Sequence, residues 1–224
     1  MSNKVIVVML GHKSQAGKDT VAGYLSELGF VRAAFADKLK NTVQDLYGFT
    51  KEQMYGSTKD VEDNRYPNIY DEKYIATDIP GVEGSGDERV LNPEYKEFFT
   101  PRRILQVFGQ QQRALYPTIW PVYVFNVAIP KLIEQGHSKI VITDFRFKNE
   151  AAVAEQWAAD SPETRALHTV KIYRPDVESK TSPTDISEID LDDYTFQHML
   201  TNDGSLEDLR EKSLELVRRL LANE

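Results

Sequence analysis

Residues 5–26 read VIVVMLGHKSQAGKDTVAGYLS, and this stretch decides the fold. Its start, residues 5–10, is a continuous apolar run rich in β-branched side chains, which is typical of a buried parallel strand. A glycine-bearing segment follows, and after it Val21, Tyr24 and Leu25 fall at helical spacing. A strand, such a loop and a helix in this order predict a phosphate-binding loop, or P-loop.

The chemistry of phosphate binding needs these residue types. Glycine lets successive backbone N–H groups curl around an anion, and the helix N-terminus adds its partial positive charge. Lys18 is placed to reach the β- and γ-phosphates of a nucleotide. The predicted phosphate site comprises the loop and the first helical turn: Lys13, Ser14, Gln15, Ala16, Gly17, Lys18, Asp19 and Thr20.

The loop departs from the usual P-loop pattern in two places. That pattern has about four residues between its glycines, whereas Gly11 and Gly17 have residues 12–16 between them. Either the loop is one residue longer, or His12 takes the place of the first glycine. The Mg²⁺-binding hydroxyl that usually follows the lysine is replaced by Asp19, with Thr20 behind it. Because hard cations accept carboxylate oxygens, Asp19 is predicted to hold Mg²⁺ directly or through water.

Composition and net charge argue against several classes of function. The chain has 224 residues, enough for one large α/β domain, and a net charge of −8, which argues against a nucleic-acid partner. It has no cysteine, and its four histidines show no metal-ligand spacing. The apolar run at the start is too short to span a membrane. We therefore expect a cytoplasmic protein without a membrane partner.

Hydrophobic periodicity predicts an α/β fold with a central five-stranded parallel sheet flanked by helices. The predicted strands are residues 5–10, 30–35, 139–143, 169–173 and 197–201, and the main helices are 36–47, 100–115, 119–135, 149–159 and one beginning at 205. Thr100 and Ser205 are predicted helix caps, and Pro130 is expected to kink its helix. Residues 49–99 show little periodicity, with 71–92 as an excursion or flap, and residues 174–196 read as a loop or lid.

A carboxylate is predicted at the edge of the sheet where α/β proteins bind ligands. The strand in IVITDFRFKNE, residues 140–150, ends at Asp144, with Arg146 and Glu150 just beyond it. Asp144 is expected to face Mg²⁺ or to accept a hydrogen bond from a substrate. A strand-end turn with a structural Asp–Arg pair is the alternative.

A polar helix face provides the second constellation. Arg102 and Arg103 begin the helix, and the spacing places Arg102, Gln106, Gln110 and Arg113 along roughly one side. Arginine is the preferred bidentate ligand of phosphate, and a glutamine amide can read the edge of a base. A solvated helix face is the alternative. Three weaker features are also candidates. Asp37 with Lys38 forms a charged pair, and Arg174 is placed to serve on a lid. Asn202, Asp203 and Gly204 form a turn whose alternative role is that of a helix cap.

Together these motifs resemble the deoxynucleoside monophosphate kinases of bacteriophages, within the P-loop nucleoside monophosphate kinase group. The matching segments, in the family's order from the first strand to the last helix, are GKDT (17–20), FADKLK (35–40), PRRILQVFG (101–109), TDFRFKNE (143–150), YRP (173–175), SE (187–188) and TNDGSLEDL (201–209). A histidine often seen before the Ser-Glu pair is missing, so Ser187 and Glu188 receive no predicted role. Residues 49–99 carry little of the match.

The resemblance implies a P-loop nucleotide kinase fold and transfer of a phosphoryl group from ATP, with Mg²⁺, to a deoxynucleoside monophosphate. It implies a core of residues 1–48 and 136–224, an acceptor-binding region 49–135 and a lid 174–196. The catalytic residues would be Lys18, Asp144, Arg146 and Arg174, with Asp19 and Asp144 toward the metal and Asn202, Asp203 and Gly204 near the adenine. The acceptor site would be formed by Asp37, Lys38, Arg102, Arg103, Gln106, Gln110, Arg113 and Glu150.

Three questions stay open at this stage. A kinase of the same fold could act on another small phosphorylated acceptor, such as dephospho-coenzyme A or phosphomevalonate. A non-enzymatic nucleotide-dependent switch is a rival of another class, although the sequence has no Asn-Lys-x-Asp run of the kind that GTPases use. The sequence also leaves open whether the protein forms a homodimer.

Overall fold

The computed structural model describes residues 4–69, 71–76, 89–92, 95–178 and 186–222. The chain divides into two compact units, one formed by Met1–Lys38 with Leu115–Glu224 and the other by Leu39–Ala114. Two predicted features fall partly outside the described residues. Residues 77–88 belong to the predicted excursion, and residues 179–185 belong to the predicted lid.

The first unit contains the predicted parallel sheet. The described strands are β1 (Val5–Gly11), β2 (Val31–Ala33), β3 (Tyr74–Ala76), β4 (Arg89–Leu91), β5 (Lys139–Phe145), β6 (Arg165–Tyr173) and β7 (His198–Thr201). Five of them form one sheet in the order β2-β5-β1-β6-β7, and every neighbouring pair is parallel. The prediction of an α/β fold with a five-stranded parallel sheet flanked by helices is confirmed.

The helices agree with the sequence pattern in most places. They are α1 (Lys18–Ser26), α2 (Ala36–Tyr47), α3 (Lys51–Tyr55), α4 (Pro101–Leu115), α5 (Ile119–Tyr123), α6 (Ile129–Glu134), α7 (Lys148–Ala159), α8 (Pro175–Glu178), α9 (Ile186–Ile189) and α10 (Leu206–Ala222). No helix within the described ranges is long and apolar enough to cross a membrane.

Burial on both faces explains why β1 is a continuous apolar run. Ile6, Val8 and Leu10 belong to a core cluster that also contains residues of α1 and α10. Side chains alternate along a strand, so Val7 and Met9 lie on the opposite face, where both are completely buried. A strand covered on both sides has no solvent-facing position that would favour a polar residue.

The helix predicted for residues 119–135 is one helical run with a change of pitch. A π-helical turn, Val124–Ala128, separates α5 from α6, and Ile129 N–H donates to Val124 O, five residues back. Pro130 follows Ile129 at the start of α6 and has no N–H to donate, which accounts for the break in the regular ladder. Gly136 ends the run with a φ of 90°, in the left-handed region that glycine adopts without strain.

The second unit is more regular than its sequence indicated, and the prediction of an irregular stretch there was wrong in two places. Thr50 and Gln53 form a capping box at the start of α3. β3 and β4 form an antiparallel pair. The hairpin strands are short and carry no clear alternation, so periodicity could not reveal them. The predicted cap of α4 is confirmed, since Thr100 Oγ1 accepts from Arg103 N–H at 3.1 Å.

Candidate functional site

The structure resolves the register of the P-loop. Gly11 is the last residue of β1, and His12 has a φ of 92°, in the left-handed region that glycine usually occupies. His12 therefore stands where the usual pattern has its first glycine, and the spacing to Gly17 becomes regular. Gly11 is required for a different reason. A Cβ atom there would lie 2.7 Å from the rings of both Phe145 and Phe196.

Lys18 is folded into the loop that precedes it. Its ammonium group donates to His12 O at 3.0 Å and also to Lys13 O, and the residue is 7% exposed. Desolvation by burial and, as the second cause, the nearby Arg146 guanidinium lower its pKa from 10.5 to about 8. A lysine that is buried at the N-terminus of α1 and satisfied only by carbonyl oxygens is well placed to turn toward phosphate.

A carboxylate already lies against the backbone of this loop. Ser14 N–H donates to Glu188 Oε2 at 2.7 Å, and the guanidinium of Arg146 pairs with Glu188 Oε1. Glu188 belongs to α9, far along the chain, and its side chain is only 14% exposed. The Ser14 N–H and the Arg146 guanidinium thus bind the same carboxylate group.

Lys13 attaches the same segment to the loop. Its ammonium group donates to the backbone oxygen of Glu188 and lies 2.5 Å from a carboxylate oxygen of Asp192. Lys13 itself is 5% exposed. In this structure the Lys13 side chain thus holds residues 188–192 in place, while its carbonyl accepts from Lys18.

The Asn202 turn meets the loop from the other side. Asn202 Nδ2 donates to Ala16 O at 2.9 Å, and a Cβ atom on Gly17, whose φ is 104°, would lie 2.7 Å from that nitrogen. Glycine at position 17 is thus required by both its backbone angle and its neighbour. Arg174 Nη1 lies 3.4 Å from Gln15 O, so this arginine is also brought to the loop.

The two other residues of the Asn202 turn lie at the start of α10. Asp203 pairs with Lys212 at 2.8 Å on the surface. Gly204 is next to the predicted capping box, which is confirmed by Ser205 N–H donating to Asp208 Oδ2 at 2.8 Å and Asp208 N–H to Ser205 Oγ at 3.1 Å. Their predicted position near an adenine stays a prediction.

Asp144 lies at an irregularity of the sheet. In the pairing of β1 with β5, Met9 aligns with Ile142 and Gly11 with Phe145, so two residues of β5 face one residue of β1. Such a bulge re-aims side chains. Asp144 Oδ1 accepts from Phe35 N–H at 2.8 Å and Oδ2 from Ala36 N–H at 2.9 Å, at the start of α2. Burial raises the pKa of Asp144, and these two hydrogen bonds oppose that rise.

The Glu150 side chain accepts hydrogen bonds from the backbone at the start of α7. Its Oε2 accepts from the N–H groups of Arg146 at 2.8 Å and Phe147 at 3.0 Å, and the residue is 4% exposed. The carboxylate therefore caps α7, a role that sequence reasoning did not assign to it.

Asp37 pairs with Arg32 at 3.2 Å, and Lys38 Nζ lies 5.7 Å from the centre of the Tyr123 ring. Contact of Glu150, Asp37 and Lys38 with a substrate stays a prediction.

The fit of these residues to Mg²⁺ differs between the two predicted ligands. Asp19 is exposed in the first turn of α1, next to Lys18, and its hard oxygen donors suit the ion. Both oxygens of Asp144 already accept a backbone N–H. Within the part of the chain that the structure describes, no three His, Asp or Glu side chains are grouped closely enough to hold a metal. Of the two predicted ligands, Asp19 therefore fits Mg²⁺ better than Asp144, and its role as a ligand stays a prediction.

The second unit contains a polar cavity of about 480 Å³ at the start of α4. Arg102 pairs through two nitrogens with Asp60, and Arg103 does the same with Asp71. The cavity walls combine these charged pairs with carboxamides and an aromatic ring: Asp60, Asn68, Asp71, Asn92, Phe98, Arg102, Arg103 and Gln106. Two oriented guanidinium groups and several amides thus face one space.

Only part of the predicted polar face of α4 lines this cavity. Gln106 lines the cavity together with Arg102 and Arg103, whereas Gln110 and Arg113, further along α4, are not part of its wall. Sequence reasoning missed Asp60, Asp71 and Glu188. Glu188 was visible in the Ser-Glu pair, but the other two aspartates lie in a stretch whose pairing only the fold could reveal.

No family model matches this chain. A protein of Acanthamoeba polyphaga mimivirus, named provisionally as a deoxynucleotide monophosphate kinase, is 26% identical over 220 residues, covering 95% of this chain and 96% of that protein.

Solved structures give weaker similarities. The dephospho-CoA kinase of Campylobacter jejuni is 13% identical, with a TM-score of 0.47 and coverage of 98% of each chain. The APS kinase of Mycobacterium tuberculosis, solved with AMPPNP and APS, is 12% identical, with a TM-score of 0.44 and coverage of 96% of this chain and 99% of that one. At these scores the similarity carries no conclusion about activity.

Proposed function

We propose that this chain is a kinase that transfers the γ-phosphoryl group of ATP to a deoxynucleoside monophosphate, giving the diphosphate and ADP. The observation that carries the proposal is the P-loop, in which Lys18 is buried against loop carbonyls and Ser14 N–H already donates to a carboxylate. The printed name of the mimivirus relative supports the choice of reaction and acceptor.

The donor side of the proposal rests on charge and position. Phosphoryl transfer requires mainly that the reactants be positioned and that developing negative charge be offset. Lys18, the N–H groups of the loop and the N-terminus of α1 would hold the ATP phosphates, and Arg146 would lie beside them. Mg²⁺ held by Asp19 would neutralise the donor phosphates when bound.

The acceptor side rests on the cavity of the second unit. Arg102 and Arg103 would bind the acceptor phosphate, because a guanidinium can contact two phosphate oxygens at once. Asp60 and Asp71 pair with these guanidinium groups and orient them. The cavity volume of about 480 Å³ suits a small molecule. The carboxamide of Gln106 could contact the base of a nucleotide, which favours a base-bearing acceptor.

The test is an ADP-release assay with ATP and a panel of acceptors. The panel contains the deoxynucleoside and ribonucleoside monophosphates, dephospho-coenzyme A and phosphomevalonate. We expect turnover with at least one deoxynucleoside monophosphate and none in Lys18→Ala. Turnover only with dephospho-coenzyme A or phosphomevalonate would replace the acceptor. ATP binding without turnover of any acceptor would favour the nucleotide-dependent switch.

A further inference from the structure

We infer that the Glu188 carboxylate is an internal occupant of the anion position in the P-loop, which a polyphosphate ligand must displace in order to bind. The inference rests on the proposed use of this loop for ATP and concerns how the site is regulated. We call this contact of Glu188 with Ser14 and Arg146 the latch, and in this structure Glu188 occupies the anion position.

The contacts of Glu188 are those of a bound anion. One oxygen accepts from the Ser14 N–H at 2.7 Å, and the other is paired with the Arg146 guanidinium. Backbone N–H groups of a P-loop and an arginine side chain are the donors that commonly hold phosphate oxygens. The Ser14 N–H and the Nη1 group of Arg146 are then satisfied by the protein itself, so these two donors are not available to an external anion until Glu188 leaves.

The segment that carries Glu188 is fastened by several charges. Lys13 contacts the Glu188 backbone oxygen and Asp192, and Lys148 N–H donates to Asp190 Oδ2 at 2.7 Å. Lys148 Nζ also lies 2.6 Å from Asp193. The Lys148–Asp193 pair lies at the surface, so it can be exchanged for contacts with solvent or a charged ligand at small cost.

The carboxylate also compensates the positive charge around the loop. Arg146 lies close enough to lower the pKa of Lys18, whereas Glu188 acts in the opposite direction. Without Glu188 the two cations would face each other across the loop with less compensation. A polyphosphate can take over this role, because it offers several negative oxygens to the same donors.

A titration of binding tests the latch. Wild type and Glu188→Gln are compared by calorimetry with ATP, with inorganic tripolyphosphate and with adenosine. If the carboxylate fills the position in about nine of ten molecules, it weakens anion binding about tenfold, so Glu188→Gln should lower the Kd for ATP and tripolyphosphate by about that factor. The affinity for adenosine, which has no phosphate, should not change.

The matched control is Glu207→Gln, which removes one exposed negative charge from the first turn of α10 and belongs neither to the anion position nor to the segment that carries Glu188. Equal anion affinities in wild type and Glu188→Gln would overturn the latch. So would an equal gain in Glu207→Gln, since the effect would then be one of general charge. A gain for adenosine would also overturn it.

Hydrogen exchange provides an independent readout. Adding tripolyphosphate to wild type should speed the exchange of the amides in residues 186–193, while Glu188→Ala should show the fast exchange already without the anion. Unchanged exchange in wild type would contradict displacement. If anions displace the segment but no acceptor is phosphorylated, the kinase proposal fails and the latch stands. If turnover is seen and Glu188→Gln binds anions like wild type, the kinase proposal stands and the latch fails.

Discussion

Replacing Asp144 by asparagine separates a structural role from a metal role. Each oxygen of Asp144 accepts one N–H from the start of α2. An asparagine keeps one acceptor oxygen, and its NH₂ group must then face an N–H donor. The loss of one hydrogen bond to a charged group costs about 1.5–3 kcal/mol. Since the neutral amide escapes the desolvation that raises the pKa of Asp144, we expect the lower end of that range.

The assay is urea unfolding in the absence of Mg²⁺ and nucleotide, so that only the cap contributes. Asp144→Asn should unfold at a lower urea concentration than wild type with the same dependence on urea. Asp37→Asn is the control, because Asp37 also lies in the first turn of α2 but pairs with the exposed Arg32 instead of the backbone N–H groups that Asp144 caps. The capping argument is refuted if Asp144→Asn has wild-type stability. A raised Mg²⁺ requirement for turnover with unchanged stability would show that the carboxylate serves the metal.

Three further predictions concern the proposed reaction. Because the pKa of Lys18 is about 8 and polyphosphate binding favours its charged form, the Kd for ATP should rise about tenfold between pH 7 and pH 9; calorimetry should find no such rise in Lys18→Arg, which stays charged. Asp19→Asn should raise the Mg²⁺ concentration needed for half-maximal turnover without changing stability, and overlapping Mg²⁺ titration curves would remove Asp19 as a metal ligand. Arg102→Ala and Arg103→Ala should each lower kcat/KM for the monophosphate by about 10²–10³ while ATP affinity is kept. Lys51→Ala, which removes an exposed charge from the same unit, should have no effect, and a loss of ATP affinity in the arginine variants would place the acceptor phosphate elsewhere.

Local sequence determined the parts of this protein whose signals are short-range. The apolar run of β1, the loop before Lys18, the cap at Thr100 and the capping box at Ser205 each depend on neighbouring residues, so pattern and capping rules identified them. The parallel sheet followed from the alternation of strands and helices. The short hairpin of the second unit carried no comparable signal.

Tertiary structure alone decided how distant residues share the sites. The role of His12 in place of glycine depended on a backbone angle that spacing left open. Glu188 reaches Ser14 across most of the chain, Asp71 reaches Arg103 across a hairpin, and Asp144 reaches the start of α2 because a bulge re-aims it. These contacts follow from strand order and register, which no local rule contains. The motifs of the candidate site could therefore be identified from the sequence, whereas the partners of its charged groups could not.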